Sequence, residues 1–148
     1  MGMFNVSKSL FAVALAALVS MGVSDSTSFT IHVVGDSTVQ TYAASAYPQT
    51  GWGQVIGNFF DASRVKINNA ALGGRSSRTF IEEGRLDALG SSMQPGDFLF
   101  IQFGHNDRDY SKAARYVEPS QFPGYIQKYI DFALKHKATP ILISPMNL

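Results

Sequence analysis

The segment from Asp97 to Phe103 constrains the fold most strongly, because five of its seven consecutive positions are apolar. It reads Asp-Phe-Leu-Phe-Ile-Gln-Phe, with apolar side chains on both faces of an extended chain. Strands of this kind are typical of parallel sheets that are buried on both sides. A sheet of that type needs helices packed against each face, which predicts an α/β protein.

Strand and helix patterns alternate around this segment. β-branched or apolar runs predict further strands, and apolar residues at helical spacing predict helices between them. The predicted strands are 29–34, 64–68, 97–103 and 140–144, and the predicted helices are 52–60, 76–92 and 122–137. This order favours a three-layer sandwich with a mostly parallel sheet.

The first 24 residues have the layout of a secretory signal peptide. Lys8 supplies a positive charge, and an apolar run from Leu10 to Val19 is followed by small residues. The run is shorter than the roughly 20 residues that a membrane span requires. We therefore predict a signal peptide over 1–24, a secreted domain over 25–148, and no membrane association after cleavage. A buried N-terminal helix and an uncleaved anchor are the alternatives.

Composition excludes several other functions. A chain of 148 residues suits one domain, and its net charge of +1 argues against a nucleic-acid partner. The absence of cysteine excludes a thiol nucleophile, a disulfide scaffold and a thiolate zinc site. With three histidines and no H-E-x-x-H motif, we predict no metal and no cofactor.

Three predicted strands end in polar or glycine-rich loops. These are Gly35-Asp-Ser-Thr38, the segment from Asn69 to Ser76, and Gly104-His-Asn-Asp107. In a parallel sheet such loops lie at one edge, where open α/β sheets bind their ligands. They offer a hydroxyl, a glycine N–H and a side-chain amide, which suit a nucleophile and an oxyanion hole for acyl transfer.

These loops resemble the first three motif blocks of the SGNH, or GDSL-type, esterase superfamily. The variants Gly-Asp-Ser-Thr, Gly-Arg-Ser-Ser-Arg-Thr-Phe and Phe-Gly-His-Asn-Asp are similar to its rhamnogalacturonan acetylesterase branch, as is Trp52 within Thr50-Gly-Trp-Gly53. The resemblance runs from about Phe29 to Ser144. It implies a flavodoxin-like sheet whose C-terminal part is missing from this chain.

The resemblance also implies roles for individual residues. Ser37 is expected to be the nucleophile, and its own N–H, the N–H of Gly74 and the amide of Asn106 are expected to form the oxyanion hole. Each donor contributes about 3–4 kcal/mol of transition-state stabilisation in such sites. Asp36 and Asp107 are expected to order their loops. The implied protein is a monomeric serine esterase that removes acetyl groups from a pectic plant cell-wall polysaccharide.

One element of the family is absent from the sequence. The family takes its general base from a late Asp-x-x-His segment, and no Asp here is followed by His three residues later. We expect His32 in the core, His136 at a solvated helix end, and His105 in a role other than the base. The chain stops at Leu148, so we interpret it as an N-terminal fragment or a truncated gene model with little or no activity.

Two other functions and several side-chain roles stay open at this stage. A non-catalytic carbohydrate-binding relic is the first alternative, and a phosphate-binding or nucleotide-binding domain is the second, although no G-x-G-x-x-G or Walker A motif supports it. Tyr42, Tyr47 and Trp52 could stack on sugar rings, but packing is favoured for Trp52. For Arg75 and Arg78 we favour anchoring of loops over contact with substrate.

Overall fold

A computed structural model describes residues 28–146, so the predicted signal peptide lies outside the described residues. Four parallel strands form one sheet in the order β2-β1-β3-β4. They are β1 (Phe29–Gly35), β2 (Val65–Asn69), β3 (Phe98–Gln102) and β4 (Thr139–Leu142). The predicted α/β class is thereby confirmed, and the strand order is that of a flavodoxin-like sheet.

Helices cover both faces of the sheet. They are α1 (Trp52–Val55), α2 (Ser77–Glu82), α3 (Arg85–Ala88) and α4 (Phe122–Lys135), and short 3-10 turns occupy Ala44–Ala46, Ile56–Phe59 and Leu89–Ser91. Residues from α2, α3 and α4 pack with β1 and β3 into the larger core. Trp52 of α1 packs on the opposite face against a smaller cluster of Ile31, Val33 and Val39. The three predicted layers are therefore present.

Aromatic side chains fill the larger core next to the loops at the sheet's carboxyl edge. The ring of Phe80 lies 5.6 Å from that of Phe103 and 6.3 Å from that of Tyr129, measured between centroids. Tyr129 is fully buried, and its hydroxyl donates to the carbonyl of Ser77 at 2.7 Å. This bond satisfies the polar end of a core side chain and ties α4 to the start of α2.

The single helix predicted over 76–92 is divided into α2 and α3. The division falls at Gly84, whose backbone lies in the left-handed region at φ +71°. Glycine adopts that conformation without steric cost and commonly ends a helix. At the other end, Ser76 caps α2 in a reciprocal arrangement with Thr79. The apolar periodicity continued across Gly84, which is why it did not reveal the break.

Most of the apolar residues in the helix predicted over 52–60 do not pack on the core. Helical structure is present there, but Phe59 is 81% exposed, and Val55 and Phe60 are also exposed. The helix changes after one turn into a 3-10 turn, which has three residues per turn and so rotates the later positions away from the sheet. The helical spacing therefore predicted a helix here, but only Trp52 and Ile56 of its apolar residues are partly buried.

β4 forms one edge of the sheet. Its residues Ile141 and Leu142 are exposed, although they belong to the apolar run that predicted this strand. An edge strand has a neighbour on only one side, so its side chains are covered less than those of β1 and β3. Within residues 28–146, no helix has the length and apolar character needed to cross a membrane.

His32 is buried in the sheet, as its position in a predicted strand suggested. Its Nε2 lies 3.2 Å from Asp97 Oδ2, and its Nδ1 lies 3.0 Å from the side-chain amide of Asn68. Asp97 also accepts the backbone N–H groups of Thr30 and Gln94. Because these residues belong to β1, β2 and the start of β3, the network holds the three strands together.

Candidate active site

The first loop holds Ser37 in a tight turn directly after β1. The Oδ1 atom of Asp36 accepts the backbone N–H of Thr38 at 2.9 Å and the Thr38 hydroxyl at 2.8 Å. Such a bond from a side chain to the backbone two residues on defines an Asx turn. Asp36 is fully buried, whereas Ser37 is half-buried at the loop surface. The turn therefore places Ser37 at the carboxyl edge of the sheet.

The second loop lies against this turn. The N–H of Gly73 donates to the Gln40 side chain, and a β-carbon built on Gly73 would lie 3.4 Å from Cβ of Ser37. Gly74 follows at φ +78°, a conformation that favours glycine. The guanidinium of Arg75 donates to the Gly73 carbonyl at 2.9 Å. These contacts fix the backbone of the second loop beside Ser37.

The third loop is joined to the second by Asn106. Its side-chain Nδ2 donates to the Arg75 carbonyl at 2.8 Å, and the residue is buried. An amide nitrogen carries two N–H donors, so this bond orients the group and leaves the second donor for a ligand. The structure thus brings the loops that contain Ser37, Gly74 and Asn106 to one edge of the sheet. The roles given to these three residues stay predictions.

Asp107 connects the third loop to the helix that follows the second. Its Oδ1 accepts the N–H and the hydroxyl of Ser77 at 2.9 and 2.5 Å, and its Oδ2 accepts the N–H of Gly104 at 3.1 Å. Burial raises the pKa of Asp107 above its ordinary value, and the bonds from Ser77 oppose part of that effect. The carboxyl group therefore orders two loops at some electrostatic cost.

We expect Asp107→Asn to change how stability depends on pH. A raised pKa in the folded state means that the folded protein binds more protons than the unfolded chain above pH 3.8, the ordinary value. The contribution of Asp107 to the free energy of unfolding therefore falls as pH rises through its folded pKa. Asparagine does not titrate, so this fall in the free energy of unfolding should be absent from Asp107→Asn when urea unfolding is measured from pH 3.8 upward.

Asp87→Asn is the matched control, because Asp87 is exposed on α3. The stability difference between the parent and Asp107→Asn should vary with pH, whereas it should stay constant for Asp87→Asn. A constant difference for both variants would contradict the burial argument.

Arg75 and Arg78 both anchor loops. Arg75 pairs with Glu83 at 3.2 Å in addition to its bond to Gly73. Arg78 pairs with Glu82 at 2.9 Å and donates to backbone carbonyls in the loop over 113–116. These contacts agree with the anchoring role favoured from the sequence.

None of the three histidines is hydrogen-bonded to Ser37. His32 is occupied in the sheet network, and His136 contacts the Phe132 carbonyl at the end of α4. His105 follows Gly104 near the site, but its Nε2 is buried and has no partner among the described residues. Over residues 28–146, no group of three or more His, Asp or Glu side chains is placed to hold a metal ion.

Sequence reasoning missed Gln102 as a residue of the site. Its amide nitrogen donates to the Thr38 hydroxyl at 2.7 Å, and its amide oxygen accepts the indole N–H of Trp52 at 2.8 Å. The available signal was a polar residue at the end of an otherwise apolar strand. Trp52 packs on the smaller core, as favoured, and its polar end also reaches this network.

A cavity of about 240 Å³ lies beside the third loop. It is lined by Gly104, Asp107, Arg108, Val117, Pro119 and Phe122. Ser37 does not line this cavity. Its walls are largely apolar, and the Asp107 carboxylate within them is already bonded to Ser77 and Gly104.

The fold and the site define a class of protein. A parallel sheet in the order β2-β1-β3-β4 places a serine turn, a glycine loop and an asparagine loop at one edge, which is an arrangement suited to serine hydrolases. Residues 33–148 match the model of the GDSL-like lipase/acylhydrolase family. The chain belongs to this family.

Several characterised or solved proteins are similar to the chain. It is 46% identical over 117 residues to a probable rhamnogalacturonan acetylesterase, YesY, of Bacillus subtilis, covering 78% of this chain and 53% of that protein. It is 38% identical over 117 residues to the rhamnogalacturonan acetylesterase RhgT of the same species, covering 79% and 49%. The chain thus spans about half the length of these relatives.

Solved structures support the same fold. The crystal structure of the YxiM protein of Bacillus subtilis matches with a TM-score of 0.73 at 31% identity, covering 81% of this chain and 33% of that one. An acetyl xylan esterase variant from Geobacillus stearothermophilus matches with a TM-score of 0.60 at 14% identity, covering 82% and 62%. The second likeness concerns the fold alone.

Proposed function

We propose that the protein is a serine esterase that removes acetyl groups from an acetylated pectic polysaccharide of the rhamnogalacturonan class. One observation carries the proposal: the loops containing Ser37, Gly74 and Asn106 meet at the carboxyl edge of a parallel sheet. Asn106 bonds to Arg75 of the second loop, and Gly73 of that loop lies against Ser37. The names of the relatives support the substrate class.

The proposed reaction begins at Ser37. Its Oγ attacks the acetyl carbonyl carbon while a general base accepts the hydroxyl proton, and the carbonyl oxygen becomes negatively charged. The N–H groups of Ser37 and Gly74 and the free amide donor of Asn106 stabilise that oxyanion. The bond to the sugar oxygen then breaks, and the protonated base gives its proton to that oxygen, so the sugar leaves as an alcohol. Water then attacks the acyl-enzyme, the base passes the water proton to Ser37 Oγ, and acetate is released.

Among the described residues no histidine is hydrogen-bonded to Ser37, and this observation favours a second candidate. In that candidate the protein binds acetylated polysaccharide without cleaving it.

Secretion belongs to either proposal, because polysaccharides of the plant cell wall lie outside cells. The proposal of secretion rests on the signal-peptide layout of residues 1–24.

A chimera tests the esterase proposal. Residues 28–146 replace the matching portion of the YesY relative, whose remaining sequence is kept, and acetate release from acetylated rhamnogalacturonan is measured. We expect acetate release by the chimera and a loss of about 10⁴-fold or more in its Ser37→Ala variant, as for other serine hydrolases. Ser91→Ala, at an exposed position far along the chain, is the matched control.

Two outcomes would argue against the proposal. A folded chimera that binds the polysaccharide but releases no acetate would favour the non-catalytic candidate. Acetate release that survives Ser37→Ala would remove Ser37 as the nucleophile.

A further inference from the structure

A chain of three hydrogen bonds crosses from α1 through β3 to the serine turn. The indole N–H of Trp52 donates to Gln102 Oε1 at 2.8 Å, and Gln102 Nε2 donates to Thr38 Oγ1 at 2.7 Å. The Thr38 hydroxyl donates in turn to Asp36 Oδ1 at 2.8 Å. Gln102 lies opposite Gly35 in the register of β3 with β1, which brings its amide beside the turn. We refer to Trp52, Gln102, Thr38 and Asp36 as the relay.

Only one direction of hydrogen bonding satisfies the relay. An indole N–H can only donate, so the oxygen of the Gln102 amide must face Trp52 and its nitrogen must face Thr38. The Thr38 hydroxyl oxygen accepts the hydrogen bond from Gln102. Its single proton is therefore donated to the Asp36 carboxylate, which can only accept. Gln102 is buried, so a reversed amide would leave buried polar atoms without partners. The orientation of every group is therefore fixed from Trp52 to Asp36.

Ser37 lies between two members of the relay, and its backbone is held on each side. The Ser37 carbonyl accepts the Tyr42 hydroxyl at 2.8 Å, and the Thr38 carbonyl accepts the backbone N–H of Trp52 at 3.0 Å. We propose that Trp52, Gln102 and Thr38 are positioning residues that set the direction in which the Ser37 side chain points. This inference rests on the proposed esterase function of Ser37.

The composition of the chain permits a test that needs no general base. The chain has no cysteine, so Ser37→Cys introduces a single thiol at the nucleophile position. Thiols react as thiolates, and nearby N–H donors lower the thiol pKa. The rate of alkylation by iodoacetamide, measured against pH by intact mass, therefore reports whether the side chain at position 37 points at the donors of the site.

We expect Thr38→Val, made together with Ser37→Cys, to raise the pH midpoint of alkylation by about one unit. At neutral pH the thiolate population then falls about tenfold. Valine keeps the shape of threonine but removes the hydroxyl that receives from Gln102 and donates to Asp36. The conservative Thr38→Ser variant keeps that hydroxyl and should restore the parent profile. Gln102→Leu should act like Thr38→Val, and Gln127→Leu, at an exposed position on α4, is its matched control.

The sole tryptophan provides a second readout. Trp52 is the only tryptophan of the chain, so its fluorescence reports its bond to Gln102 directly. Gln102→Leu should shift the emission maximum, and Thr38→Val should shift it less, whereas Gln127→Leu should leave it unchanged. Circular dichroism establishes which variants are folded.

The possible results separate the relay from the proposed function. If Thr38→Val and Gln102→Leu are folded and keep the parent alkylation profile, the positioning role of the relay is overturned. It is also overturned if both variants fail to fold, because these residues would then have a structural role. The chimera's acetate release tests the esterase proposal separately. If the chimera is inactive but the alkylation profiles are as expected, the relay positions the side chain at position 37 and the esterase proposal fails.

Discussion

A polypeptide of these 148 residues is expected to hydrolyse p-nitrophenyl acetate at least about a thousandfold more slowly than the RhgT relative. Loss of one member of a catalytic triad costs several powers of ten in rate, because the hydroxyl of serine is a weak nucleophile without a base. The chain has three histidines, and none is hydrogen-bonded to Ser37. The oxyanion donors lower the barrier only once attack has begun.

His105 is the histidine that most needs to be excluded as the base. It precedes Asn106 in the turn that follows β3, and the Asn106 amide donates to the Arg75 carbonyl. Its Nε2 is also buried rather than directed at Ser37 through a hydrogen bond. A base must lie within hydrogen-bond reach of the proton it accepts, so this geometry does not support proton transfer by His105.

The measurement compares the purified chain with the RhgT relative and with two variants, Ser37→Ala and His105→Ala. Both variants should match the slow parent within about twofold if neither residue supports turnover here. Rapid hydrolysis by the parent that is lost in both variants would identify His105 as the base. Rapid hydrolysis that is unaffected by Ser37→Ala would place the reaction at another residue.

The sequence predicted the class of fold and the order of its elements well, because these depend on local patterns. The apolar run ending at Gln102 and the β-branched run before Gly35 are each sufficient to define a strand. Parallel pairing then brings their loops to one edge without further information. The motifs at Ser37 and Asn106 were recognisable for the same reason, since each is a short contiguous segment.

Features that depend on contacts distant in sequence were not predictable. Gln102 and Trp52 are 50 residues apart, and their bond depends on how α1 lies across the sheet. The exposure of Phe59 likewise depends on a change from α-helix to 3-10 turn, which the apolar spacing does not encode. Hydrophobic periodicity identifies a candidate face, but packing decides whether that face is used.

Phe80→Ala should lower the free energy of unfolding by about 3–5 kcal/mol, the range for removal of a fully buried aromatic side chain. Phe80 is completely buried and contacts the rings of Phe103 and Tyr129, so alanine leaves a cavity between α2 and the sheet. α2 also carries Ser77, which bonds to Asp107 and Tyr129. The loss of packing should therefore loosen the second and third loops as well.

Phe59→Ala is the matched control, because it removes the same atoms from a side chain that is 81% exposed. Surface substitutions of this kind change stability by about 0.5 kcal/mol or less. Urea unfolding followed by circular dichroism measures both variants, and the midpoint should move strongly for Phe80→Ala alone. Equal shifts would mean that Phe59 is covered in solution, whereas a negligible shift for both would mean that the aromatic cluster around Phe80 does not hold α2 on the sheet.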